Sequence, residues 1–221
     1  MNVAVFAIAL GVFVFMKVES EIREGDVAAL DRAVLLSLRN PADRSDPLGP
    51  RWLEEMGRDF TALGGTGLLT LVTLMGVGYL FLGRKPRSAL YVASSIISAT
   101  VLELVLKELF ARPRPALVPH LSHVISPSFP SGHSMLAAAV YLTLGALLAR
   151  VEKRLIVKAY VLAWALLLAV LVGVSRVYLG VHWPTDVLAG WAAGAAWAAL
   201  SWLLARALQR CGTLESTLHD G

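Results

Sequence analysis

Long apolar runs separated by short charged breaks organise this chain. The first run, Val3 to Met16, is closed by Lys17. A helix over 1–18 would be about 27 Å long, marginal for a hydrocarbon core of about 30 Å. A signal peptide is the competing reading, but the segment lacks a basic n-region and a small-x-small cleavage site, so an anchor helix is favoured. Five further runs follow: Gly67–Gly83, Ala89–Leu106, Met135–Ala149, Leu155–Val174 and Val187–Ala205. The pattern predicts an all-α polytopic membrane protein, a six-transmembrane-helix bundle. Gly190 and Gly194, in the last run, form a small-x3-small pattern that allows close helix packing.

Between the first two runs the character changes. Val27, Leu30, Val34 and Leu38 recur at helical spacing beside Asp31, Arg32 and Arg39. This is the pattern of a short amphipathic helix at a bilayer surface. Asn40 to Pro50 is a turn-rich break, and Trp52, Leu53, Met56 and Phe60 make a second apolar stripe. Packing helices in a solvated segment explain this stretch, and the sequence assigns it no chemistry. One domain results, with an anchor helix at 1–18, an amphipathic extracytoplasmic segment at 19–63, a bundle at 64–208 and a cytoplasmic tail at 209–221.

Composition supports this reading. The 221 residues are 57% hydrophobic and 16% charged, where soluble domains are nearer half and a quarter. The net charge of +4 comes with no solvated basic face interleaved with aromatics, so a nucleic-acid partner is not indicated. The single cysteine, Cys211, can form no intrachain disulfide and is too isolated for a metal site. Charge distribution sets orientation. Arg84, Lys85 and Arg87 fill one short loop, and Arg150, Lys153, Arg154 and Lys158 outnumber Glu152 around another. The positive-inside rule puts both in the cytoplasm. Lys17 to Asp59, by contrast, has seven basic and ten acidic residues.

Three stretches at the opposite membrane boundary carry candidate chemistry. Ser175 to Asp186 reads SRVYLGVHWPTD. A carboxylate one helical turn from a histidine can hold its Nδ1–H and leave Nε2 as base or nucleophile, and Arg176 supplies a fixed cation. Lys107 to Pro115 reads KELFARPRP, and Pro130 to His133 reads PSGH. Any one of Lys107, Arg114 and Arg176 could snorkel to headgroups; three converging on two histidines favour an anionic ligand. Arg112 offers a rival Arg-Pro pair. Ser131 and Gly132 precede a long helix, whose N-terminus is a phosphate cradle, although a plain N-cap explains Ser131 equally well. His133 alone reads as a buried structural histidine; facing His182 across a phosphate it becomes an acid for the leaving oxygen.

Taken in order, Lys107-x6-Arg114-Pro115, Pro130-Ser131-Gly132-His133 and Ser175-Arg176-x5-His182-x3-Asp186 resemble the three-part signature of the type 2 phosphatidic acid phosphatase superfamily. Of the two Arg-Pro pairs, only Arg114 has the family's spacing from Lys107. The resemblance implies that His182 takes the phosphoryl group as a phosphohistidine and that Asp186 orients it. It implies His133 as general acid, and Lys107, Arg114, Ser131, Gly132 and Arg176 as a phosphate clamp that needs no metal or other cofactor. Lipid phosphates are the implied partners: undecaprenyl diphosphate, phosphatidylglycerophosphate, phosphatidic acid or lipid A phosphate. The implied location is the cytoplasmic membrane, with the site facing the periplasm or exterior. Transfer to an acceptor other than water is a second reading. A lipid translocator is a third, disfavoured because Glu103 is the only acidic residue within a span.

Two features fall outside the signature. Glu103 lies one turn before Lys107, where an ion pair orienting the lysine is favoured over a direct substrate contact. His120 and His123 form an H-x-x-H, which without a third ligand reads as solvated loop or headgroup contact rather than zinc.

Overall fold

The computed structural model describes residues 2–122 and 126–215; His123 and the tail beyond 215 lie outside them. Eight helices follow in order: α1 Asn2–Glu24, α2 Ala28–Ser37, α3 Arg51–Ala62, α4 Thr66–Leu82, α5 Pro86–Phe110, α6 Gly132–Val151, α7 Leu155–Tyr178 and α8 Pro184–Arg210. No strand occurs among the described residues. Helices α1, α5, α6, α7 and α8 are each long and apolar enough to cross a membrane. A sixth span arises if α3 and α4, bent by 48° at a short break, count as one.

Helix α1 runs past the apolar stretch that predicts it. Lys17 pairs with Glu21 at 2.6 Å and Arg23 with Glu19, both one turn apart. These i,i+4 pairs let the polar end continue as helix. The amphipathic stretches at 27–38 and 52–60 become α2 and α3. Helix α3, though, is more than surface cover: it packs on α7 and continues, bent, into α4.

The core is the packing of α8 on α1 and α6, and of α6 on α7. Gly190 and Gly194 make the α6 contact close. A Cβ on Gly190 would lie 2.7 Å from the Ser131 carbonyl oxygen, and one on Gly194 would strike that of Met135. Ser131 N–H donates to the Asp186 carbonyl at 3.0 Å, so the first turns of α6 and α8 are held side by side. Phe15, Phe110 and Phe129 stack at 5.2–5.9 Å between ring centroids and seal α1 against the chain flanking those turns.

Candidate active site

The ends of α5 and α7 and the starts of α6 and α8 share one end of the bundle, and all three motifs lie on them or on the chain that adjoins them. His182 occupies the turn between α7 and α8 and is 1% exposed. Asp186, in the first turn of α8, is fully buried, with Oδ2 3.5 Å from His182 Nδ1. The same oxygen accepts the Trp183 backbone N–H at 2.9 Å and the Ser128 hydroxyl. The local motif is a helix start whose third residue reaches back to cap the first, and this fixes the carboxylate.

Arg114 Nη1 lies 3.0 Å from His182 Nε2. A guanidinium can only donate, so Nε2 accepts and the ring hydrogen sits on Nδ1, facing Asp186 and Ser128. Burial pulls His182 down to about 4, against the opposing pull of Asp186, so the ring is neutral at neutral pH. The ring lone pair is therefore on Nε2, on the side of Arg114.

Those cations are held mostly by neutral groups. Arg114 donates to the carbonyls of Ser126 at 2.8 Å, Val181 at 2.7 Å and Pro127 at 3.3 Å. Burial lowers its pKa, with the charge of Asp186 opposing. Arg176, in the last turn of α7, is 2% exposed; Nη1 donates to the Thr61 hydroxyl at 2.9 Å, and Nε has no partner among the described residues. Lys107 differs. Its Nζ lies 2.6 Å from Glu103 Oε1 and donates to the Ser126 hydroxyl at 3.1 Å.

Gly132 opens α6 directly against this lysine pair. Ser131 stands at the N-cap position, yet its hydroxyl does not cap the helix; it accepts from the Ser134 hydroxyl at 2.9 Å and keeps its own proton to donate. His133, half-buried in the first turn of α6, lies within electrostatic reach of Lys107, Arg114, Arg176 and His182. The structure thus gathers Lys107, Arg114, Ser131, Gly132, His133, Arg176, His182 and Asp186 at one place. Glu103 joins through Lys107. His120 does not: it is exposed, and its Nε2 is bonded to the Pro115 carbonyl at 2.7 Å.

Five residues at the site carry no signature. Ser126, Ser128 and Thr61 contribute the hydroxyls described above. Arg112 Nη1 donates to Asp186 Oδ1 at 2.6 Å, and its Nη2 to Asp31 Oδ2 at 2.8 Å. Arg112 had a legible signal. Helix α5 ends at Ala111 with φ 42°, and Pro113 and Pro115 push the residues before them toward extended backbone. Residues two apart on extended chain share a face, so Arg112 and Arg114 both reach the histidine–aspartate pair. Both Arg-Pro pairs are used, for different partners.

The PAP2 superfamily model matches residues 88–210. The chain is 41% identical over 150 residues to phosphatidylglycerophosphatase B of Bacillus subtilis, covering 65% of this chain and 70% of that protein. It is 29% identical over 195 residues to a lipid A 1-phosphatase of Rhizobium etli, covering 78% of each. The crystal structure of a transmembrane PAP2-type phosphatidylglycerolphosphate phosphatase from Bacillus subtilis superposes with a TM-score of 0.76 at 34% identity, covering 92% of this chain and 98% of that one. The fold and the relatives together define an integral membrane phosphoric-ester hydrolase. The chain belongs to the PAP2 superfamily.

Proposed function

We propose that this protein removes phosphate from a membrane lipid phosphate or diphosphate at the outer face of the cytoplasmic membrane, without a metal, by way of a phosphohistidine on His182. The observation that carries the reading is the pairing of the cations. Lys107 has Glu103, but Arg114 and Arg176 pair with no carboxylate among the described residues. Guanidiniums withdrawn from water beside a neutral imidazole are costly unless an anion matches them. A phosphoryl group supplies that charge.

In this mechanism the phosphoryl oxygens take up the free donors of Lys107, Arg176, Ser131 and the first N–H groups of α6, and the Arg114 Nη1–H that Nε2 releases as it turns to phosphorus. Nε2 of His182 attacks phosphorus as the bond to the leaving oxygen breaks. Asp186, held by Arg112, Ser128 and the Trp183 N–H, keeps Nδ1–H aligned and stabilises the charge that grows on the ring. His133, charged once the anionic phosphoryl group offsets the neighbouring cations, gives its proton to the leaving oxygen, then takes one from the water that cleaves the P–N bond and releases phosphate. Positioning and charge stabilisation are what phosphoryl transfer mainly demands.

Orientation is supported by loop charge. The basic residues at 84–87 and 150–158 lie in the loops before α5 and between α6 and α7 and in the helix turns that flank them, at the ends of those helices away from the site. Placing these loops in the cytoplasm faces the site outward. The relatives' names support a lipid substrate of the kind they carry: phosphatidylglycerophosphate, lipid A 1-phosphate or undecaprenyl diphosphate. Phosphatidic acid shares the same reacting group.

The test is phosphate release from a panel of these lipids by detergent-solubilised protein in excess EDTA, with acid-quenched labelling from radioactive substrate. Turnover should persist in EDTA and fall with vanadate, which mimics the five-coordinate transition state. Label should appear on wild type and be missing from His182→Ala. A requirement for added Mg²⁺ or Zn²⁺, or label retained by His182→Ala, would overturn the reading.

A further inference from the structure

Asp31 is a buried acid. It lies on α2, in the segment the sequence reads as surface packing and outside the residues 88–210 matched by the family model, yet it is 1% exposed. All of its oxygen capacity points at the start of α8 and at one arginine. Oδ1 accepts the Thr185 backbone N–H at 3.0 Å. Oδ2 accepts the Thr185 hydroxyl at 2.7 Å and Arg112 Nη2 at 2.8 Å. Arg112 then reaches Asp186 Oδ1 at 2.6 Å with its other terminal nitrogen. Asp31, Arg112, Asp186 and His182 form one unbroken line.

We propose that Asp31 is a positioning residue for the reaction, holding Asp186, and through it His182, in the productive orientation by way of Arg112. The proposal rests on the reading of His182 as nucleophile. Its physical basis is the rigidity of the guanidinium. The fork is planar, so fixing Nη2 on Asp31 fixes where Nη1 meets Asp186. Asp31 is itself fixed, because it satisfies an N–H that the start of α8 leaves without an intrahelical partner.

Without Asp31, Arg112 keeps Asp186 and the Thr185 hydroxyl, at 2.9 Å, on Nη1 and the face of Trp183, 5.6 Å away, but Nη2 loses its carboxylate and the fork can swivel about Nη1. The Nδ1 to Oδ2 separation is already 3.5 Å. Hydrogen bonds weaken steeply beyond this range, so a small rotation of the Asp186 carboxylate uncouples it from the ring. A mere anchor of α2 to α8 would predict something else: lower thermal stability with unchanged turnover by each folded molecule.

The experiment compares Asp31→Asn, Arg112→Lys and the double variant as detergent-solubilised full-length protein. Folded protein is counted by gel filtration and thermal unfolding, and kcat and KM are measured on p-nitrophenyl phosphate and on one lipid phosphate. Each single change should lower kcat about tenfold with KM changed by less than about twofold. The double variant should be no worse than the worse single, since both cut the same line. Unchanged kcat per folded Asp31→Asn molecule, or losses that multiply in the double variant, overturn the proposal. If Asp31→Asn fails to accumulate, Arg112→Lys decides alone: a lysine cannot bridge both carboxylates, so its unchanged kcat is equally fatal. His182→Ala in the same assay separates the two readings. If it stays active, the nucleophile assignment falls; if it is dead while Asp31→Asn is unaffected, only the role of Asp31 falls.

Discussion

Gly132, at the start of α6, lies with its backbone directly against the carboxylate of Glu103 on α5. A Cβ there would collide with Glu103 Oε1 and come within 3.0 Å of Lys107 Nζ. The Glu103–Lys107 pair, the first turn of α6 and the end of α5 are thereby locked to one another. Gly132→Ala should displace the pair while the helices still form. Overpacking of this kind costs about 1–3 kcal/mol, so kcat/KM should fall about tenfold or more with a modest loss of thermal stability. Wild-type kcat/KM in this variant would show that the close approach does not matter to the chemistry.

Glu103→Gln tests the pair itself. It keeps the shape and weakens one charged hydrogen bond, so substrate affinity should fall by on the order of 1 kcal/mol. The loss should be the same for two lipids with different headgroups, and should not add to that of Lys107→Met in the double variant. Additive losses would rule out the ion pair as the working unit. A loss that depends on headgroup would instead mark Glu103 as a direct contact.

His133→Ala should harm substrates unequally. A lipid phosphate leaves as an alkoxide that needs a proton, whereas p-nitrophenolate needs little help. Turnover of the lipid should fall by at least about tenfold more than that of p-nitrophenyl phosphate, within the range typical of general-acid catalysis. Equal losses for the two substrates would remove His133 from the acid role.

Thr61→Val strips Arg176 of a hydrogen bond in a position where its Nε is already without a partner among the described residues. A buried charged donor left unpaired costs about 1–3 kcal/mol, which should appear as a lower unfolding temperature of the free protein. Vanadate should recover part of that loss, because an oxyanion binding only the folded state stabilises it by mass action. If vanadate raises the unfolding temperature equally in wild type and variant, Arg176 is not an anion ligand.

The protonation state of His182 gives a pH prediction. Its folded value of about 4 lies below the ordinary 6.5 because the ring is buried. Between these values the unfolded chain binds a proton that the folded one refuses. The contribution of His182 to stability is therefore fully present above about pH 6.5 and is lost as pH falls through about 4. Nitrogen NMR of labelled histidine, with His182→Gln to assign the signal, should show a neutral Nδ1–H ring from pH 8 down to about pH 5. A titration centred near 6.5 would contradict this.

What the sequence by itself determined follows from local rules. Apolar runs of span length, separated by charged breaks, dictate helices that cross a membrane, because an unpaired backbone has no partner in lipid. The i,i+4 spacing of Glu103 with Lys107 is met in the structure at 2.6 Å because a helical turn is a fixed length, whereas His182 lies in the turn before α8 and comes within 3.5 Å of Asp186 because that carboxylate reaches back over the helix start. The three motifs fall at alternating ends of successive spans, and antiparallel packing of those spans puts them together.

What only the tertiary structure decided is how those motifs are held. Asp31 meets Thr185 across 154 positions, Thr61 meets Arg176 across 115, and Ser128 meets Asp186 across 58. No periodicity encodes such distances. Each of these residues sits in a stretch whose own pattern, an amphipathic helix or a Pro-rich loop, is fully explained by local packing. Their partners emerge only when α2 and α3 fold onto the ends of α7 and α8. There the withdrawal of water leaves every buried charge and N–H in need of a specific partner, and geometry rather than spacing selects it.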